Sequence, residues 1–67
     1  MSRRRLSQVL RTLRTGKGLT QVQLATKAKV TQAYVAKLER GDKTNPSLEI
    51  LKRLAKALGV AVTKLLE

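Results

Sequence analysis

The sequence predicts an all-α fold, a compact domain of five short helices covering residues 1–67. Three observations carry that expectation. Apolar residues recur at intervals of three and four in every segment, which is the period of an amphipathic helix. Thr, Pro, Ser and Gly stand where helix starts and stops belong, so each periodic stretch is bounded. No segment alternates apolar and polar residues as a half-buried strand does, and no internal repeat is visible.

The first helix is expected from Leu6, where Val9, Leu10 and Leu13 follow one face until Gly16 and Gly18 break the pattern. Ahead of it Arg3, Arg4 and Arg5 read as part of a short basic arm, residues 1–5, of the kind that frays or touches phosphates. Thr20 opens the second helix as an N-cap, and Gln23, three residues on, completes a capping box. Leu24, Ala25 and Ala28 give that helix, Gln21 to Ala28, an inward face. Thr31 is a second good N-cap, and Val35 with Leu38 marks the buried stripe of a third helix from Gln32 to Arg40, stopped by Gly41. Asp42 to Pro46 is a polar loop. Ser47 then starts a fourth helix with Glu49 in its first turn, apolar at Leu48, Leu51, Leu54, Ala55 and Leu58, and ended by Gly59. Val62, Leu65 and Leu66 indicate a last short helix.

Composition narrows the chemistry. The chain has no cysteine for a disulfide or thiolate site and no histidine for an imidazole ligand. Neither a zinc staple nor a Cys- or His-based catalytic centre is expected, and no cofactor or metal is called for. No paired acids, no nucleophile beside a base and no phosphate loop appear, so an enzyme is not expected. Fifteen Lys and Arg against four Asp and Glu leave a formal charge of +11, which points to a polyanionic partner, nucleic acid first. A membrane surface is disfavoured because Trp and Phe are absent and Tyr34 is the one aromatic residue; no apolar run approaches the ~20 residues of a membrane span.

The second and third helices, joined by Lys29 and Val30, are each too short to bury their own faces. They fit the helix-turn-helix arrangement, whose second helix enters the DNA major groove while the first crosses the backbone. The linked motifs LTQVQLATKAKV, TQAYVAKLERG and NPSLEILKRLAKALGV closely resemble the lambdoid phage repressors, Cro proteins and related small bacterial regulators, from about Leu6 to Leu66. That resemblance implies a lambda-repressor-like five-helix fold. One departure is Lys29, where family members commonly place Gly in a left-handed turn; a strained or altered turn is the expectation, at a cost of about 1 kcal/mol.

On a 100-degree wheel, Val35 and Leu38 point inward and Ala33, Ala36, Lys37 and Arg40 outward, with Gln32 at the shoulder. Gln32 suits a bidentate pair with adenine N6 and N7, Ala33 and Ala36 present methyl surface to thymine, and Lys37 suits guanine O6 and N7. The resemblance implies base contacts at Gln32, Ala33 and Lys37. Phosphate contacts are expected at the start of the second helix, Thr20 and Gln21, where free amides and the dipole favour an anion. The resemblance adds Tyr34 and the stretch from Arg40 through Lys43 to Thr44, although the Tyr34 ring also suits the core edge. Glu39 is an acid near the C-terminal end of a helix and needs a cation; the resemblance implies Arg14.

The leading functional expectation is a sequence-specific regulator of transcription, a repressor, binding double-stranded DNA as a homodimer on a palindromic operator, with Val60 to Leu66 as a candidate dimer contact. The resemblance implies a bacterial or phage origin and a cytoplasmic, nucleoid-associated location, and 67 residues suggest no small-molecule effector module. Two other classes stay open: an antitoxin or other protein-binding module that represses its own operon, and an architectural binder held by charge alone.

Overall fold

A computed structural model describes residues 3–42 and 45–66, with side chains from Leu6 onward. Among the described residues there are five helices and no strand: α1 (Arg3–Gly16), α2 (Gln21–Ala28), α3 (Gln32–Arg40), α4 (Leu48–Leu58) and α5 (Thr63–Leu66). The first begins earlier than its apolar pattern suggests. Arg3 to Arg5 form its opening turn instead of an arm, and arginine is a good helix former that needs no apolar partner to extend an existing helix. Residues 1 and 2 of the expected arm, and Lys43 and Thr44 of the expected phosphate loop, lie outside the described residues.

Local chemistry sets the starts and stops. The Thr20 hydroxyl accepts from the Gln23 amide at 3.0 Å, and the Gln23 side chain accepts from the Thr20 amide at 2.9 Å, a complete capping box. Thr31 caps α3 by accepting from the Tyr34 amide at 3.1 Å, and Ser47 caps α4 by accepting from Ile50 at 3.2 Å. Each such cap stabilises its helix by roughly 1 kcal/mol, which matters for helices of eight to eleven residues that are marginal alone.

The turn between α2 and α3 keeps its left-handed form with a lysine in it. Lys29 has φ 59° and ψ 44°, and the Val30 amide closes back on Ala25 at 3.0 Å. This is the six-to-one hydrogen bond that ends a helix in a Schellman cap, so the substitution costs conformational energy without changing the turn's shape.

Leu6, Leu10, Leu24, Val35, Leu38, Leu51, Leu54, Leu58 and Leu65 form one buried cluster with Ala25, Ala28 and Ala55. Removing a leucine side chain from water is worth about 1.5–3 kcal/mol, and the cluster draws on all five helices, so none is stable apart from the others. The element that matters for function is held from two sides: α3 packs against both α1 and α2, while α4 supports α2 from behind. The result is a body with a Cα radius of gyration of 10.2 Å in which one short helix is fixed with its outer face uncovered.

Candidate nucleic-acid interface

With Val35 and Leu38 buried, the opposite side of α3 is open. Gln32, Ala33, Lys37 and Arg40 are exposed, while Ala36 is half-buried, at the flank of the face and not on its crest. Tyr34 is also half-buried and packs against the core, and burial pushes its phenol pKa above the ordinary value of 10.0. Thr20 is exposed and its hydroxyl is already engaged as a helix cap; Gln21 next to it is half-buried. Arg40 is only partly available, because its Nε donates to Asp42 Oδ2 at 2.9 Å. Both side chains of that pair are 59% exposed, so it is screened and contributes little to stability.

Beneath the open face is a polar chain that begins in the interior. The Glu39 side chain is only 1% exposed, a placement that costs several kcal/mol for a carboxylate unless the charge is matched and its lone pairs are used. Arg14 matches it in a fork: Nε donates to Oε2 at 2.6 Å and Nη2 to Oε1 at 3.0 Å, while Nη1 donates to the Leu19 carbonyl at 2.8 Å. The hydrogen bond to Glu39 holds the Arg14 pKa above its ordinary value; partial burial works against this and the attraction of the carboxylate adds to it. Arg11 stands at 3.9 Å from Oε1 with a largely exposed side chain.

From Glu39 the chain runs outward. Gln21 Nε2 donates to Glu39 Oε1 at 3.1 Å, and Gln32 Nε2 donates to Gln21 Oε1 at 2.8 Å. Since an ionised carboxylate only accepts, the Gln21 amide has to turn its NH2 inward and its oxygen outward, and Gln32 has to present its own NH2 to that oxygen. Gln32, exposed at the protein surface, keeps its carbonyl oxygen and a second N–H without a partner among the described residues. An acceptor beside a donor is the pattern that complements adenine N6 and N7. The buried ion pair therefore orients an exposed amide two links away, through α1, α2 and α3.

Sequence reasoning found the residues and, through the family resemblance, the Glu39–Arg14 pair, but not the links from Glu39 to Gln21 and on to Gln32. Glu39 and Arg14 were expected as a pair, Gln21 as a phosphate contact and Gln32 as a base contact, and the structure brings all four together. The signal available in sequence was weak: all four are of types common at protein surfaces, and their contacts span 25, 18 and 11 positions.

Two short capped helices at a fixed angle, the second with an open polar face, define a helix-turn-helix domain. Residues 10–65 match the helix-turn-helix family model, and the chain belongs to that family, in its Cro and phage-repressor branch. It is 45% identical over 58 residues to the immunity repressor protein of Bacillus phage phi105, a match covering 87% of this chain and 40% of that protein. The chain spans less than half the length of that repressor. Among solved structures it is similar to the restriction-modification controller protein C.AhdI from Aeromonas hydrophila, with a TM-score of 0.89, 40% identity and 94% of both chains covered. It is equally similar in shape to SinR, the master regulator for biofilm formation, solved in complex with DNA: TM-score 0.89, 35% identity, 92% of this chain and 98% of that one.

Proposed function

We propose that this chain is a sequence-specific DNA-binding regulator of transcription, acting as a repressor, whose α3 lies in the major groove of double-stranded DNA. The observation that carries the reading is the outward amide of Gln32, oriented by Gln21 and the buried Glu39–Arg14 pair at the exposed start of α3. A face held in one hydrogen-bonding pattern is suited to discrimination, since a good bidentate pair is worth about 1–3 kcal/mol against the wrong base. The names of its relatives, a phage immunity repressor and a controller protein among them, support regulation as the role, and the SinR complex supports DNA as the partner.

In this reading Gln32 pairs with adenine, Ala33 and the flank of Ala36 meet thymine methyl groups, and Lys37, one turn on, donates to guanine. Thr20 and Gln21 at the start of α2, Tyr34, Arg40, and Lys43 with Thr44 in the following loop contact phosphates and fix the register. The role is binding and not catalysis, and the setting is the interior of a bacterial cell. Two copies bind a palindromic operator with half-sites about one helical turn apart, joined through the segment Val60 to Leu66. Leu66 is 42% exposed and Val60 and Val62 are half-buried, so that segment offers apolar surface to a second copy.

Selection of bound duplexes from a random pool at near-physiological salt tests the reading. A motif of two half-sites related by a dyad is the expected product. A flat profile with a steep salt dependence would overturn base recognition in favour of binding by charge alone.

A further inference from the structure

A second cationic feature lies at the C-terminal end of α2. Lys27 and Lys29, at the C-terminal end of α2, and Arg53 and Lys56, on α4, line one cleft floored by Ala28 and Ala57. Arg53 spans it: Nη1 donates to the Lys29 carbonyl at 3.3 Å, tying α4 to the turn, while Nε is buried without a hydrogen-bond partner among the described residues. The acid paired with Arg53, Glu49, is exposed and stands 3.9 Å from that Nε, too far to satisfy it. Four cations thus converge with weak internal compensation. One of them, Lys29, also occupies a left-handed position that glycine would take at lower cost, so the chain gives up about 1 kcal/mol to keep a charge at the cleft rim.

Position decides what anion fits. Lys29 is three residues before Gln32, so the cleft lies at the turn leading into α3, at the opposite end of α2, about 12 Å long, from the phosphate contacts expected at Thr20 and Gln21. A duplex docked on α3 that extended past the turn would carry its flanking phosphates towards Lys29. We infer that this cleft is a second DNA contact, taking backbone phosphates of the duplex flanking the base pairs read by α3. The inference rests on the proposed DNA-binding role. Lysines act here as point charges that add affinity and salt dependence without base preference, and Arg53, held across the cleft by the Lys29 carbonyl, adds a fourth positive charge.

The test compares wild type with K27Q/K56Q, two exposed substitutions that leave Arg53 and the Lys29 turn in place. Each protein is titrated over a range of salt with two labelled duplexes carrying the selected sequence. One is trimmed to the read base pairs, and the other extends about one helical turn, ~10 base pairs, beyond them on each side. The slope of log affinity against log salt on the long duplex is expected to fall in the variant by roughly 1 to 2, at about 0.9 for each phosphate no longer neutralised. On the trimmed duplex the two proteins should agree, with equal melting temperatures. Equal slopes on the long duplex would overturn the inference and leave the cleft to an acidic protein surface. An equal reduction on both duplexes would also overturn it, as a general effect of charge. A wild type that binds neither duplex would instead refute the DNA-binding role itself, a distinguishable result.

Discussion

Glu39→Ala perturbs stability and recognition through one residue that touches no DNA in this account. The substitution removes the acceptor for two Arg14 donors and for Gln21, and leaves Arg14, whose side chain is 13% exposed, without its counter-charge. Deleting one member of a buried pair costs about 3–5 kcal/mol. Arg14 keeps the Leu19 carbonyl and some exposure to water, so the low end applies, about 3 kcal/mol. For a domain of this size each kcal/mol lowers the melting temperature by roughly 4–8 °C, which gives a fall of about 12–24 °C. The second effect is on Gln32. With the carboxylate gone the Gln21 amide rotates freely, and fixing one such side chain on binding costs about 0.5–1.5 kcal/mol, or roughly 2- to 12-fold in affinity. That weakening should be concentrated at the base pair read by Gln32. Thermal melting by circular dichroism measures the first effect. Anisotropy titration at 10 °C, corrected for the unfolded fraction from the same melting curve, measures the second on the selected duplex and its single-base variants. An unchanged melting temperature would refute the structural role of the pair. A lower melting temperature with an unchanged preference at that base would refute the polar chain as the device that orients Gln32.

Two further outcomes are expected. Lys29→Gly relieves the left-handed penalty of about 1 kcal/mol but adds chain entropy worth about 0.5–1 kcal/mol to the unfolded state, so it should leave stability unchanged or raise it by up to about 0.5 kcal/mol in chemical denaturation. A destabilised variant would show that the Lys29 side chain contributes to folding in some way the backbone geometry does not capture. The pH dependence follows from Tyr34: burial raises its pKa in the folded state, so its contribution is complete below the unfolded value near 10 and is lost as pH rises through the folded value. With no histidine in the chain, melting temperatures should be nearly level from about pH 6 to 9 and fall above about 10; a transition near pH 6.5 would contradict this.

The interior of the fold was readable because its signals are local. Thr20 with Gln23, Thr31, and the glycines after α3 and α4 mark ends by side-chain and backbone chemistry confined to a few positions. The expected spans Gln21 to Ala28 and Gln32 to Arg40 are the observed ones. The start of α1 was misjudged because an apolar stripe says nothing about a polar extension, and Arg3 to Arg5 extend the helix by propensity. Ala36 is half-buried where an ideal wheel places it outward, since a wheel leaves out the helices packed around α3. Arg40 looked like a free cation until its loop partner Asp42 came within 2.9 Å. The relay from Glu39 through Gln21 to Gln32 depends on three helices meeting, and no periodicity in one segment encodes that. Of the cleft on α2 and α4 only Lys29 stood out, as a departure in the turn; Lys27, Arg53 and Lys56 are ordinary surface charges until packing sets them beside it.

The central claim is that α3 reads bases through an oriented Gln32. It is tested most directly by repeating the duplex selection with Gln32→Ala beside the wild type. The account predicts that the variant's motif loses its preference at one or two positions in each half-site, adenine first, and keeps the rest with nonspecific affinity little changed. A motif identical to that of the wild type, or affinity reduced equally for all sequences, would contradict it.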